Sequence, residues 1–410
     1  MNDCDVVVVG TARTAIGTFG GSLKDVPLHQ LASTVVRGAL ERSGAAPGRV
    51  GQVVMGNVIP TEPADAYLSR AAGIHAGLPH EVVAFNVNRL CGSGLQAIVC
   101  AAQAIAAGDG EVAIGAGAES MSRGPYLMTA GRWGIRMGDS QLYDYMTGIL
   151  HDPFGKMHMG ITAENVAQRY GISRDMQDEL ALDSQQRAAR AIAEGRFKAQ
   201  IVPVELPSRK GPPVIFETDE HVRGDVTAEQ LAAMKPVFKA NGVVTAGNAS
   251  GINDGAAAVV LADAKAARAQ GLKPLARLVA WAHAGVDPDY MGIGPVPATR
   301  KALQRAGLRA QDMDVIEANE AFAAQACAVM RELDLDPAKV NPNGSGISLG
   351  HPVGATGAII TVKAIDELHR IGGRYGLVTM CVGGGQGAAG VIEWLGGRQP
   401  FRARALKEAA

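Results

Sequence analysis

The stretch Arg37-Gly-Ala-Leu-Glu-Arg-Ser-Gly44 returns as Arg300-Lys-Ala-Leu-Gln-Arg-Ala-Gly307, and aligning Arg37 with Arg300 sets an offset of 263 residues. The same offset carries VGQVVMGN (50–57) onto MDVIEANE (313–320), so helix, loop and strand recur together. A chain that repeats a supersecondary unit in this way is built of two similar halves. Each half continues with a glycine-flanked reactive residue ahead of a helical stretch, Cys91 before LQAIVCAAQAIAAG and His351 before ATGAIITVKAIDELHR. Each then enters an apolar strand that runs into glycines, EVAIGAGAES in the first half and GLVTMCVGGG in the second. Strands alternating with helices predict an α/β fold with βαβ units and mainly parallel sheets covered by helices.

The first half is expected over 1–120, completed by about 245–272, and the second over 273–410. Residues 121–244 differ in character. SMSRGPYLMTAGRWGIRMG is rich in glycine and methionine, ISRDMQDELALDSQQRAARAIAEG reads as an amphipathic helix with Ser173 as its N-cap, and VELPSRKGPPVIFETDEHVRGD is loop-like. An insertion longer than a connection requires is expected to cover a site near the strand ends of an α/β core.

Charge narrows the partners. With 39 basic against 40 acidic residues and a net charge of -1, the chain has no general field for nucleic acid or an anionic membrane, so a small-molecule partner is expected. MNDCDVVVVG lacks the basic and long apolar regions of a secretory signal, no uninterrupted apolar run of about 18 residues suggests a span, and RALKEAA is not a peroxisomal address. The expected location is the cytoplasm. Five cysteines (Cys4, Cys91, Cys100, Cys327, Cys381), odd in number and without metal-ligand spacing, argue against a disulfide scaffold or a zinc site.

Cys91 in NRLCGSGLQA sits where a helix begins, and the unsatisfied N–H groups there favour a thiolate. His351 in GSGISLGHPVGATG has flanking glycines that let backbone approach a ligand. Cys381 ends an apolar strand and enters four glycines, where backbone amides face a cleft, and Asn319 and Glu320 in IEANEAF end another strand. The structural alternative is a small buried hydrophobe for each cysteine and helix capping for the asparagine–glutamate pair. Cys100 and Cys327 are expected in the core, and Cys4 at an edge without a role. Gly385, Gly387 and Gly390 match GxGxxG, but no helix or acidic residue follows at the distance a dinucleotide site needs. Two thiols and a histidine at glycine-rich element ends suit thioester chemistry, one thiol accepting an acyl group, the histidine taking its proton and the second thiol moving a proton.

At these residues the chain resembles the thiolase family, and within it the bacterial biosynthetic β-ketothiolases of acetoacetyl-CoA and polyhydroxyalkanoate-precursor metabolism. NRLCGSGLQA resembles the nucleophile motif, NEAFAAQA the asparagine motif, GHPVGATGA the histidine motif and CVGGGQG the second-cysteine motif; HMGITAENVA and TAGNASGINDGAA also resemble family signatures, and the likeness runs along essentially the whole chain. The resemblance implies a five-layer αβαβα fold of two pseudo-duplicated halves with an inserted loop domain, and reversible Claisen condensation of acetyl-CoA with acetyl-CoA or propionyl-CoA. Cys91 is implied as the acyl acceptor, His351 as its activator, Cys381 as the acid/base at the α-carbon and Asn319 as the holder of a water that forms one oxyanion hole with His351. The backbone N–H groups of Cys91 and Gly383 are implied as the other hole. His158, Ser250 and Phe322 are implied along the pantetheine channel and Arg223 near the nucleotide phosphate. CoA thioesters are implied as substrates with no permanently bound cofactor, and a homotetramer with its oligomerisation loop near SRGPYLMTAGRW. AIGTFGGSLKD, NVIPTEPADAYLSR, RWGIRMGD and LHDPFGKMHMG resemble the broader-specificity β-ketothiolases that accept 3-ketovaleryl chains, and Met159 follows the biosynthetic pattern.

Three other readings stand beside this one: a ketoacyl-synthase-like condensing enzyme, a cysteine hydrolase and a non-catalytic acyl-CoA carrier. Decarboxylating condensation would need no second thiol base, which Cys381 supplies, and an intact catalytic set opposes the carrier.

Overall fold

The computed structural model describes residues 5–208 and 211–396; Cys4 and the RALKEAA tail lie outside them. Fourteen strands occur in chain order: β1 (Val6–Arg13), β2 (Gly17–Thr18), β3 (Val50–Gly56), β4 (Val83–Val87), β5 (Val112–Ser120), β6 (Tyr126–Leu127), β7 (Tyr143–Asp144), β8 (Val204–Leu206), β9 (Val214–Phe216), β10 (Asn253–Asp263), β11 (Ala276–Gly285), β12 (Val315–Ala318), β13 (Tyr375–Val382) and β14 (Gln386–Trp394). The helices are α1 (Leu28–Ser43), α2 (Leu68–His75), α3 (Ser93–Ala107), α4 (Tyr145–Ile149), α5 (Met159–Tyr170), α6 (Arg174–Ala193), α7 (Ala228–Ala232), α8 (Ala264–Ala269), α9 (Pro295–Ala306), α10 (Ala323–Glu332) and α11 (Thr356–Ile371).

The first half orders its strands β4-β3-β5-β10-β1 and the second β12-β13-β14-β11, and the two join where Val7 and Val8 of β1 meet Arg277 and Ala276 of β11. The 263-residue offset is kept to the residue. Val53 pairs with Ile114 in one half and Ile316 with Leu377 in the other. Both copies of the repeated octapeptide end their helix on a left-handed glycine, Gly44 at φ 70° and Gly307 at φ 65°, a conformation that costs glycine nothing and closes the last carbonyls.

Contrary to the expectation of mainly parallel sheets, the halves are mixed. β3 is parallel to β4 and β5, and β12 to β13, but β10 and β14 run antiparallel to their neighbours. The reason lies in the connections. β13 returns into β14 through a glycine turn, and β5 reaches β10 only after the insertion, so neither link is the helical crossover that a parallel pair requires.

Helices α3 and α11 form the middle layer between the two sheets. They touch so closely that a Cβ on Gly94 would lie 2.6 Å from the Ala358 nitrogen, and one on Gly357 would lie 2.3 Å from the Leu95 nitrogen. Gly94 and Gly357 are one offset apart, so the pseudo-twofold axis passes through this crossing. The window Leu90–Ala107 is apolar enough to cross a membrane but is 67% buried, as a helix covered by sheets on both faces must be.

The inserted segment is tied to β1 by a fully buried ion pair. Arg13 gives Nη1 and Nη2 to Asp219 at 2.7 and 2.9 Å and Nε to Gln200 at 2.6 Å, over the Phe197 ring. Ser173 caps α6, its hydroxyl accepting from the Met176 N–H at 3.2 Å.

Candidate active site

The chain leaves β4 and turns sharply into α3. Asn88 Oδ1 accepts the Leu90 N–H at 2.9 Å, and Ser93 Oγ accepts from the Arg89 N–H at 2.8 Å while donating to the Leu90 carbonyl at 2.7 Å. These bonds hold Leu90 at φ 47°, a conformation a leucine adopts only where its surroundings impose it. Cys91, half-buried, therefore sits fixed one residue before the Gly92 cap of α3. The expected thiolate is not the resting form. Burial pushes the thiol up to about 11, with the Glu119 carboxylate adding to the rise, and hydrogen bonds from the Gly383 and Cys91 backbone recover only part of it.

The β13–β14 turn lies against this segment. The place of a Gly92 Cβ is 3.0 Å from Val382 Cγ2 and that of a Gly383 Cβ is 2.9 Å from Leu90 Cδ1. Arg89 clamps both sides, giving Nε to Gln96 at 2.7 Å and Nη1 to Gln386 at 3.2 Å. Cys381 is fully buried, and burial followed by the charge of Cys91 raises its thiol far above the ordinary range. The GxGxxG glycines fall on this turn and on strand β14, with no helix after them among the described residues.

His351 is 5% exposed, and burial lowers its ring to about 4, so the imidazole is neutral at physiological pH. Its backbone N–H donates to Asn253 Oδ1 at 2.9 Å, and Nδ1 lies 2.6 Å from Thr356 Oγ1. Asn319, just past β12, sets Nδ2 3.4 Å from His351 Nε2. Its Oδ1 is buried and has no hydrogen-bond partner among the described residues, as suits a group that would bind a water. Glu320 braces this loop by accepting from Ser184 of α6 at 2.6 Å and from Asn341 at 2.9 Å.

A second group lies on the inserted side. His158 caps α5, its Nδ1 accepting the Gly160 N–H at 3.0 Å, and stacks on Phe238 at 4.6 Å between centroids; Phe238 meets Phe322 edge-on at 6.2 Å. Ser250 donates its N–H to the Ala321 carbonyl at 3.0 Å, next to Phe322. Met159, Phe322 and Cys381 share one apolar cluster, which links this group to the thiols. Arg223 is exposed and stands apart, its backbone N–H on Gln185 Oε1 at 2.7 Å. Cys100 and Cys327, expected in the core, are only half-buried, because each lies on a helix face that is not fully covered.

Phe238, Thr356 and Glu119 escaped the sequence reading. Phe238 carries no glycine punctuation of its own, Thr356 lies inside the quoted GHPVGATGA and reads there as part of the helix start, and Glu119 reads as the polar end of a strand. Asn253, in the quoted TAGNASGINDGAA, was legible only as part of a signature.

The profile described as the thiolase N-terminal domain matches residues 6–265, and that of the thiolase C-terminal domain matches residues 272–394. The β-ketothiolase BktB of Cupriavidus necator is 65% identical over 390 residues, covering 95% of this chain and 99% of that one. An acetyl-CoA acetyltransferase of the same organism is 50% identical over 390 residues, with the same coverage of each chain. Among solved structures, the Bacillus anthracis acetyl-CoA acetyltransferase superposes with TM-score 0.93 at 47% identity, covering 96% of this chain and 99% of that one. Human mitochondrial 3-ketoacyl-CoA thiolase in complex with CoA also gives TM-score 0.93, at 44% identity, covering 96% and 98%. With four motifs gathered at one place and both profiles spanning nearly all of the described residues, the chain belongs to the thiolase family.

Proposed function

We propose that this chain is a β-ketothiolase in which Cys91 carries the acyl group, His351 activates it and Cys381 moves the proton at the α-carbon. The enzyme is an acyltransferase that joins or cleaves 3-ketoacyl-CoA thioesters. CoA thioesters are its substrates, and the chemistry calls for no resident cofactor. The observation that carries the reading is the meeting of the Gly383 N–H with the Cys91 thiol, together with a neutral, buried His351 set against Asn319.

The Thr356 hydroxyl has one proton, and the Pro352 carbonyl lies 2.9 Å away to take it. Thr356 then accepts from His351 Nδ1–H, leaving the Nε2 lone pair to receive the Cys91 proton. The thiolate attacks the thioester carbonyl, and the oxygen that gains charge is held by the N–H groups of Cys91 and Gly383. The tetrahedral intermediate collapses, the departing CoA thiolate takes the proton of Cys381, and the Cys381 thiolate so formed takes a proton from the methyl of the second acetyl-CoA. The resulting enolate oxygen is met by protonated His351 and the water held by Asn319, and the carbanion attacks the acyl-cysteine, expelling Cys91 as a thiolate that recovers its proton from His351. Thiolysis runs the same path backwards.

His158, Ser250 and Phe322 are assigned to the pantetheine channel, on the strength of the His158–Phe238–Phe322 stack, and exposed Arg223 to the nucleotide phosphate. Broad chain length, acetoacetyl and 3-ketovaleryl alike, is supported by the greater identity to the β-ketothiolase than to the acetyl-CoA acetyltransferases. We assign residues 1–120 with about 245–272 to one half, 121–244 to the inserted loop domain and 273–410 to the other half. A homotetramer is supported by the exposed Tyr126, Trp133 and Met137 of the insertion, a patch that a monomer would leave in water; light scattering is expected at four times the 42.4 kDa chain mass. The cytoplasm is the compartment that suits such an enzyme. CoA-dependent cleavage of acetoacetyl-CoA with Cys91→Ala as control tests the reading: loss of activity together with the acyl adduct is expected, and a Cys91→Ala enzyme that still turned over would overturn it.

A further inference from the structure

The offset that relates the two halves also relates the segments that meet at the site. It sets Cys91 against Gly354, Ala118 against Cys381, Glu119 against Val382, Ser120 against Gly383 and Asn57 against Glu320, in the register kept by the paired strands. On the catalytic side the turn after β13 brings the Gly383 N–H to Cys91 at the start of α3. On the mirrored side the end of β5 meets Gly354 at the start of α11, and there a side chain fills the gap. Glu119 Oε2 accepts the N–H of Gly354 at 2.8 Å and of Val58 at 3.1 Å, while Oε1 accepts from the Ile59 N–H at 3.0 Å and Asn57 Nδ2 at 2.8 Å. Glu119 is 0% exposed, and a Cβ on Gly354 would lie 2.5 Å from Oε2, so the fit admits nothing larger than glycine.

The Gly354 N–H is thus the duplicate of the Cys91 N–H assigned to the thioester oxygen. We propose that Glu119 is a positioning residue of the condensation reaction, its carboxyl group filling the duplicated counterpart of the oxyanion pocket and fixing, through Gly354, the segment that carries His351. The inference rests on the assignment of Cys91 and His351 made above. Its chemistry follows from the partners. All four hydrogen-bond partners donate and so favour the ionised form, while burial and the Asp254 carboxylate oppose it and raise the Glu119 carboxyl to about 8. Burial chiefly keeps Cys91 a thiol, and the Glu119 charge, present above about pH 8, adds to that rise. The four bonds keep the two halves of the site in register.

Glu119→Gln preserves shape but replaces one acceptor oxygen by an amide that faces two donors. The test is the pH dependence of Cys91 alkylation by iodoacetamide from pH 7 to 11, with the modified residue located by peptide mass, alongside steady-state thiolysis of acetoacetyl-CoA. We expect the alkylation midpoint of Glu119→Gln to fall by about half a pH unit or more, and kcat to fall about tenfold or more with KM changed by less than about threefold. Glu119→Asp, which keeps the charge but cannot span all four donors, is expected to hold the wild-type midpoint and still lose kcat, and it carries the test if the glutamine variant does not fold. A wild-type midpoint in Glu119→Gln, or a wild-type kcat in Glu119→Asp, overturns the proposal. Alkylation of wild type at a residue other than Cys91 would instead overturn the site assignment, so the two failures are distinguishable.

Discussion

At the scale of single residues, the site works by opposed ionisations. Cys91 is held as a thiol up to about 11 and His351 as a free base down to about 4, so at neutral pH both start neutral and proton transfer between them creates charge only when a substrate oxygen is present to share it. Cys381 is raised further, chiefly by burial, so it too rests as a thiol and needs the departing CoA thiolate to take its proton before it can act as a base. Cys381→Ala is therefore expected to keep acetyl transfer onto Cys91, seen as a +42 Da adduct of about one acetyl group per chain, while condensation falls by about 10³-fold or more. Condensation of acetyl-CoA by that variant at the wild-type rate would remove Cys381 from its assigned role. His351 also makes a stability prediction. Its folded value lies below the 6.5 of a free imidazole, so the unfolded chain takes up a proton that the folded one refuses, and the stability present above pH 6.5 is lost as pH falls towards about 4. Thermal midpoints of His351→Asn relative to wild type should rise across that window and stay parallel above pH 7. Much of this chemistry was legible, because cysteine and histidine near glycines, and the polar Asn319 and Glu320 ending an apolar strand, are rare enough to notice. Their ionisation was not, since the helix-start argument favoured a thiolate while burial, which only the fold supplies, outweighs it.

At the scale of elements, two contacts carry the arrangement. The first is the crossing of α3 and α11 at Gly94 and Gly357, which places the N-termini of both helices, and with them Cys91 and His351, on the same side of the molecule. Gly357→Ala puts a methyl 2.3 Å from the Leu95 backbone nitrogen, where neither helix can yield without moving its catalytic end. It should cost about 1–3 kcal/mol and lower kcat, read together from thermal unfolding and thiolysis; a fully active, equally stable Gly357→Ala would show the crossing to be looser than described. The second is the Arg13–Asp219 pair that fastens the insertion to β1. Arg13→Met leaves a buried carboxylate without its cation and should destabilise by about 3–5 kcal/mol, with the effect on KM for CoA thioesters exceeding that on kcat. The start of α6 was readable from the sequence, through Ser173 as its N-cap. Strand direction was not, because β5 and β10 are separated by the whole insertion and the β13–β14 glycine turn was read as a cleft instead of a hairpin.

At the scale of the whole molecule, duplication explains why there is one site and not two. The offset of 263 residues gives each half a helix N-terminus and a strand end that meet at the pseudo-twofold axis, but chemistry stays on one side while Glu119 occupies the other. The halves could be found from an octapeptide and its echo, whereas the mirrored carboxylate could not, since nothing in GAGAES distinguishes a buried acceptor from a strand terminus until Gly354 is beside it. The insertion contributes His158 and Phe238 from one face and braces the Asn319 loop through Ser184 and Glu320 from another, so the residues proposed for the pantetheine channel and for catalysis are held by the same segment. The account as a whole turns on an acyl group carried by Cys91 during cleavage of short 3-ketoacyl chains. The measurement that reaches it most directly is CoA-dependent cleavage of acetoacetyl-CoA and 3-ketovaleryl-CoA side by side, with the intact mass of enzyme trapped during turnover and the adduct located by peptide mass. Cleavage of both substrates with the acyl group on Cys91 is the predicted result; CoA binding with neither cleavage nor adduct, or an adduct on any other residue, would contradict it.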